Sequence, residues 1–309
     1  MQTFDDFLRQ NKVPGDLASV LHYVVSAIVD CLAEFALPAE KKREGYTGES
    51  NVSGDRQIEL DIVCNEKFIE NLTGNSYVAM IASEELAEPI RKRADGEGFV
   101  VAFDPLDGSS IAELNMAVGS IIGIYRGNEV IGKTGRDQVA AMIAVYGPEL
   151  TFLITLGDEG VFEFGYNRLK KEFVLRHANL KLKEDGKIFA PGNIKIVSGE
   201  SWYMDLIAEM AKNGYALRYS GGMVPDVNQI IRKGGGIYMY PGSKEKPEGK
   251  LRLLYECAPI ALLIERAGGL AVSPSGDILD IPVREYHQKT PIFLGSLKEV
   301  QLALSYVKK

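Results

Sequence analysis

Leu17, Leu21, Val24, Ile28, Leu32 and Phe35 recur every three or four positions, the stripe of an amphipathic helix running to about residue 36. The next segment, 37–54 (LPAEKKREGYTGESNVSG), has no period and collects Pro, Gly, Ser and charges, so a long loop is expected. Ile58, Ile62, Ile69 and Leu72 then predict a second helix, with Asp55 as its N-cap and Asp61 on its first turns. Four β-branched, apolar runs, 77–82, 99–103, 120–125 and 151–156, are bounded by Gly, Asn or charges and predict strands of a mixed sheet. Gly127-Asn128 reads as a hairpin turn, with Val130-Ile131 on the returning strand. The polar stretch 177–192 reads as a connection. Beyond it, helices at 202–213, 226–233 and 256–267 alternate with short strands, and Ser296 with Glu299 forms a capping-box pattern before a last helix. The expected class is α/β, in two units, 1–190 and 191–309.

The 309 residues are 46% hydrophobic and 25% charged, a globular balance that excludes disorder as the default state. Apolar runs such as 78–82 and 140–146 are too short to cross a bilayer. Asp5 and Asp6 stand where a signal peptide would be basic, so the expectation is a cytoplasmic protein with no membrane partner. Net charge is −7 and the densest basic cluster is Lys41-Lys42-Arg43, which disfavours nucleic acid as a partner. Cys31, Cys64 and Cys257 have no metal-site or C-x-x-C spacing and are expected to be buried thiols.

Only three histidines exist, none paired at helical spacing. A bound metal would therefore rest on oxygen ligands, which favours Mg²⁺ or Mn²⁺. The segment Phe103-Asp104-Pro105-Leu106-Asp107-Gly108-Ser109-Ser110 follows an apolar strand. Pro105 fixes φ, so Asp104, Asp107 and the Leu106 carbonyl can face one way as an oxygen cage. Gly108, Ser109 and Ser110 follow with backbone N–H groups and hydroxyls suited to phosphate at a helix start. Glu84-Glu85 ends another apolar strand, and Glu256 stands alone among apolar neighbours; both arrangements ask for a counter-cation. A rival is Gly127-Asn128-Glu129-Val130-Ile131-Gly132-Lys133-Thr134, which fits the nucleotide-binding G-x-x-x-x-G-K-[ST] pattern but carries bulky residues where a phosphate loop needs small ones.

The segments NVSGD (51–55), SEE (83–85), FDPLDGSS (103–110), RYSGGMVPDV (218–227), GKLRLLYECAP (249–259) and ERAGG (265–269) make the chain, from about residue 17 onward, resemble the class I fructose-1,6-bisphosphatases and the related sedoheptulose-1,7-bisphosphatases. GSSIAELNMAVGS, with Ile111 after GSS, is more similar to the sedoheptulose branch. The resemblance implies a layered fold of two mixed-sheet halves with helices between and outside. It implies hydrolysis of the C1 phosphate of a sugar bisphosphate with two or three Mg²⁺ ions held by Glu84, Glu85, Asp104, Asp107, Glu256 and the Leu106 carbonyl. Asp61 and Glu85 would help activate the attacking water. Ser109, Ser110 and Arg252 would hold the leaving phosphate, and Asn193, Tyr219, Tyr240 and Lys250 the other one. Arg218 would reach in from a neighbouring subunit of a homotetramer, a dimer of dimers. Loop 41–55, with Asp55, resembles the family's closing loop, and Lys195 stands near the place of a family tyrosine. A regulatory binding protein without activity is the remaining alternative.

Overall fold

The computed structural model describes residues 1–35, 46–50, 56–158 and 160–307. Eight strands form one sheet in the order Glu172–Leu180, Val161–Asn167, Leu150–Leu156, Gln138–Tyr146, Val118–Arg126, Phe99–Asp107, Val78–Ser83, Ile90–Arg91. All neighbours run antiparallel except Val78–Ser83 and Phe99–Asp107, which run parallel. Six strands form the second sheet, in the order Ala216–Leu217, Ile188–Pro191, Ile237–Tyr240, Ile292–Gly295, Leu270–Ser273, Gly276–Asp277. It is also mixed, because Ile188–Pro191 is parallel to both its neighbours.

Helices fill the space between the sheets and cover both outer faces, as expected. Gly15–Phe35 and Glu59–Gly74 pack on one face of the large sheet through Leu21, Val24, Ile28, Phe68 and Leu72. Met223–Lys233 and Ala258–Arg266 lie between the sheets, where Val227, Ile230, Ile260 and Leu263 share a buried cluster with residues of both. Ser201–Lys212 and Leu297–Val307 close the far face through Leu206, Met210 and Val300. Gly15–Phe35 has the length and composition of a bilayer-crossing helix. Its apolar face, however, packs in the core: Leu17, Val20, Leu21, Val24, Ala27, Ile28 and Cys31 are buried.

Several local expectations give way to tertiary contacts. The second helix starts at Glu59, after a strand at Arg56–Ile58 that pairs with Tyr46–Ser50; Asp55 lies outside the described residues. The stretch 177–192 contains the end of Glu172–Leu180 and the whole of Ile188–Pro191. The first of these strands is an edge strand, bridged on its outer side by Thr3 at Val174, and its last residues are exposed and carry no alternation. No short hairpin forms at Gly127-Asn128. Gly132 N–H instead donates to Val283 O, and Val283 N–H to Lys133 O, so the strand returns only at Gln138. Glu299 makes no capping box, since its carboxylate accepts from Gly186 N and Tyr215 Oη, while Ser296 Oγ accepts from Gly236 N. Glu256 falls in a π-helical turn, Leu253–Cys257, ahead of the helix it was expected to open.

All three cysteines are free and fully buried. Cys31 and Cys64 are neighbours, the Cys31 thiol lying 3.8 Å from the Cys64 carbonyl, and the Cys31 contact, then burial, push the Cys64 thiol up. Inert thiols follow. An aromatic disulfide reagent should titrate fewer than one thiol in the native protein and all three in denaturant; rapid native reaction would contradict the packing.

Candidate active site

The Phe99–Asp107 strand does not stop at Phe103 but runs on through the DPLD segment. Its register against Val118–Arg126 shifts between Asp104, opposite Ile121, and Asp107, opposite Gly119. An extra residue is thus accommodated as a bulge, the one sheet context in which Pro105 is tolerated mid-strand. Ser120 Oγ donates to the Pro105 carbonyl at 2.7 Å and meets Tyr146 Oη at 2.8 Å, pinning the bulge from the neighbouring strand. Asp104 Oδ1 accepts from Leu106 N at 2.9 Å.

The parallel register sets Ser83 beside Phe103, and Glu84 N–H donates to Phe103 O. Glu84 and Asp104 therefore leave adjacent strands at one level. Glu256 arrives from the π-turn of the other half, where its Oε2 accepts from Arg252 N at 2.6 Å. Glu84, Asp104 and Glu256 each offer an oxygen, and these atoms lie within 4.8 Å of one another. All three residues are at least nine-tenths buried. Arg252, itself 4% exposed, sets Nη1 3.1 Å from Glu84 Oε1. Burial, then the charges of Glu84, Asp107 and Glu256, raise the Asp104 carboxyl well above its ordinary range. Burial raises Glu256 to about 7 against the pull of Arg252. An all-oxygen, desolvated and mutually repelling set fits a hard divalent cation.

The other candidates surround this cluster in different ways. Asp107 is buried, but its carboxylate accepts from Val224 N at 2.6 Å and Met223 N at 3.2 Å, so it caps the Met223–Lys233 helix; burial still raises it to about 7. Asp61 is buried on the first turn of Glu59–Gly74. One turn on, Asn65 Oδ1 accepts from Ser83 Oγ at 2.7 Å, which ties that helix to the Glu84-Glu85 segment. Glu85 is half-buried, its N–H held by Ser83 Oγ. Leu106 has its side chain in the core. Gly108, at φ 82°, supplies the left-handed residue before the short helix opened by Ser109 and Ser110.

A cavity of about 960 Å³ is lined by Asn193, Tyr219, Tyr240 and Lys250, with Lys195 and Lys289 among its further cations. Asn193 is left-handed (φ 49°), and its Nδ2 donates to Pro241 O. A side chain at Gly192 would come within 2.5 Å of the Tyr240 ring, so glycine lets backbone and ring close this wall. Arg218 is exposed and does not line the cavity. Its neighbour Ser220 donates its N–H to Asp226, which burial raises to about 6. Asn65, Ser120 and Lys289 escaped the sequence reading. A lone serine inside the apolar run VGSIIGIY was the available signal, because a buried hydroxyl needs a partner.

Most backbone donors of the rival phosphate loop are already taken. Gly127 N–H goes to Gly98 O, Val130 and Ile131 N–H to Glu129, Gly132 N–H to Val283 O, Lys133 N–H to Val130 O and Thr134 N–H to Asp137. Lys133 Nζ donates to Arg126 O.

Buried carboxylates for a cation, an arginine against them and a lysine-edged cavity are the parts of a metal-dependent phosphatase for an anionic substrate. The family model described as the fructose-1,6-bisphosphatase N-terminal domain matches residues 5–178, and that of its C-terminal domain residues 182–308. The chain is 38% identical to the class 1 fructose-1,6-bisphosphatase of Geobacter sulfurreducens, over 97% of this chain and 95% of that one. It is 42% identical to the chloroplastic sedoheptulose-1,7-bisphosphatase of Spinacia oleracea, over 83% of this chain and 66% of that one. A crystal structure of Leishmania major fructose-1,6-bisphosphatase superposes with a TM-score of 0.93 at 31% identity, covering 99% of both chains. The chain belongs to the fructose-1,6-bisphosphatase family, whose members are metal-dependent phosphatases of sugar bisphosphates.

The raised carboxyls give a signed pH dependence. Asp107 and Glu256 hold their protons up to about 7 in the folded chain, whereas unfolded they lose them near 4. Below about 4 both states are protonated and folding carries no penalty; between about 4 and 7 the unfolded chain ionises first and stability falls; above that the penalty is complete. With chelator present, Tm should therefore fall from about pH 4 to 7, and a saturating divalent cation should cancel the fall. A chelated protein that gains stability across that window would contradict the cluster's electrostatics.

Proposed function

We propose that the enzyme hydrolyses the C1 phosphate of fructose 1,6-bisphosphate, giving fructose 6-phosphate and phosphate, with two or three Mg²⁺ ions per site and Mn²⁺ as a substitute. The observation that carries this reading is the convergence of Glu84, Asp104 and Glu256 from three segments, with Arg252 against them. Glu85, Asp107 and the Leu106 carbonyl complete the proposed ligand set, and Asp107 would serve while capping its helix. Cations bound there would neutralise the phosphoryl oxygens and acidify a water.

The chain's own groups do the rest. Arg252 turns from Glu84 toward the reacting phosphate, and Ser109 and Ser110, with the backbone after Gly108, hold its other oxygens. Asp61 and Glu85 accept the proton of the attacking water. Asn193, Tyr219, Tyr240 and Lys250 hold the second phosphate, and Arg218, exposed in the single chain, suits a contact delivered to a neighbouring copy of a homotetramer. The assignment divides labour between residues 1–190, with most of the acids, and 191–309, with the sugar-phosphate contacts. A cytoplasmic location fits three unpaired thiols. Turnover of sedoheptulose 1,7-bisphosphate as well is favoured by the similarity of the GSSIAELNMAVGS tract to that branch and by the size of the cavity.

Asp104 is buried in a strand rather than on an exposed turn, which sharpens the expected result of Asp104→Asn. The amide keeps the acceptor for Leu106 N but removes a repelled charge. Phosphate release from fructose 1,6-bisphosphate should drop about 10²-fold or more, while Tm in chelator stays level or rises. A Tm that falls in step with activity would assign Asp104 a structural role, and wild-type activity undiminished by EDTA would refute the metal reading. For the two sugars, kcat/KM should differ by less than ~10³, about 4 kcal/mol of discrimination; a larger ratio would refute dual use.

A further inference from the structure

Five lysines line the cavity, and of these Lys195, Lys244, Lys246 and Lys250 are exposed while Lys289 is half-buried. Among the described residues the Lys289 ammonium has no carboxylate partner and no hydrogen-bond acceptor. Other partly covered lysines are satisfied by the protein. Lys92 donates to the carbonyls of Leu72, Thr73 and Asn75, and Lys133 to that of Arg126. Withdrawing an ammonium from water without a partner is costly, and an anion entering the cavity removes that cost.

The backbone says which anion. Lys289 and Arg252 form an antiparallel bridge, flanked by Leu253 N–H to Gln288 O at 2.7 Å and Thr290 N–H to Leu251 O at 2.9 Å. This is the non-hydrogen-bonded type of pair, the closer of the two, with Cα atoms about 4.5 Å apart and both side chains on one face. Arg252 on that face reaches Glu84. Lys289 therefore leaves the backbone beside Arg252 on the same face and lines the cavity, while Thr290, buried and bonded on both sides, keeps its backbone in place.

We propose that Lys289 is a binding residue for the reacting-end phosphate, shared with Arg252, and that it holds inorganic phosphate as that product leaves through the cavity. This rests on the bisphosphatase reading above. No bond is made or broken at the ammonium; it supplies charge to a phosphate dianion.

Two variants and two product inhibitors test it. Lys289→Gln should raise KM for fructose 1,6-bisphosphate and the inhibition constant of inorganic phosphate about tenfold each. The inhibition constant of fructose 6-phosphate, which lacks the reacting-end group, should stay within about twofold and kcat within about threefold. Lys289→Arg should recover most of the loss. An unchanged phosphate constant, or weakening confined to fructose 6-phosphate, overturns the assignment. If the wild-type protein hydrolysed no bisphosphate, the reading of function would fall on its own. Calorimetric titration of inorganic phosphate into wild type and Lys289→Gln, with Mg²⁺ present, would still decide the Lys289 assignment: equal affinities overturn it.

Discussion

Three carboxylates held within 4.8 Å of one another in a desolvated place are the constraint around which this chain is arranged. Two unit charges about 4 Å apart repel by about 4 kcal/mol at an effective dielectric of ~20, and desolvation adds to that. Protonation or a cation must relieve the strain. Arg252 offsets part of it through Glu84, and raised carboxyls at Asp104 and Glu256 record the remainder. A fold that gathers these acids despite the cost is one whose working state includes positive charge at that point.

The surrounding structure holds the acids against their repulsion. Parallel pairing of Val78–Ser83 with Phe99–Asp107 levels Glu84 with Asp104. The bulge across Pro105, pinned by Ser120, turns the strand end without breaking the sheet. Glu256 comes from the other half, and its π-turn lets the carboxylate bond back to Arg252 N, which fits the tendency of such turns to mark functional sites. Asp107 meets the first N–H groups of Met223–Lys233, so the strand that carries Asp104 also anchors a helix between the sheets. The acid cluster and interlayer packing use the same few residues.

The elements legible in sequence are those whose pattern one neighbour decides. The Gly15–Phe35 stripe and the apolar runs at Val78–Ser83 and Val118–Arg126 are buried as their periodicity requires. Elements defined by distant partners were not. Val130-Ile131 has strand propensity, yet Val283 claims the backbone beside it; Glu299 has capping spacing, yet Tyr215 and Gly186 claim its carboxylate. At the site, DPLDGSS and SEE declared their acids as neighbours in sequence. The Ser83–Asn65 bond, the Arg252–Glu84 pair and the bridge of Lys289 to Arg252 join residues 18, 168 and 37 positions apart, and no local pattern encodes them. Glu256 was visible from its own surroundings as a lone acid in an apolar segment, and the resemblance of 249–259 supplied its expected ligand role.

The most direct test is anomalous diffraction from a crystal soaked in Mn²⁺. The account predicts a peak bounded by Glu84, Asp104 and Glu256, with carboxylate oxygens at about 2.0–2.3 Å, and an Arg252 guanidinium moved off Glu84. A manganese peak elsewhere, or none while Arg252 still bridges Glu84, would contradict the claim that these acids are gathered to hold a cation.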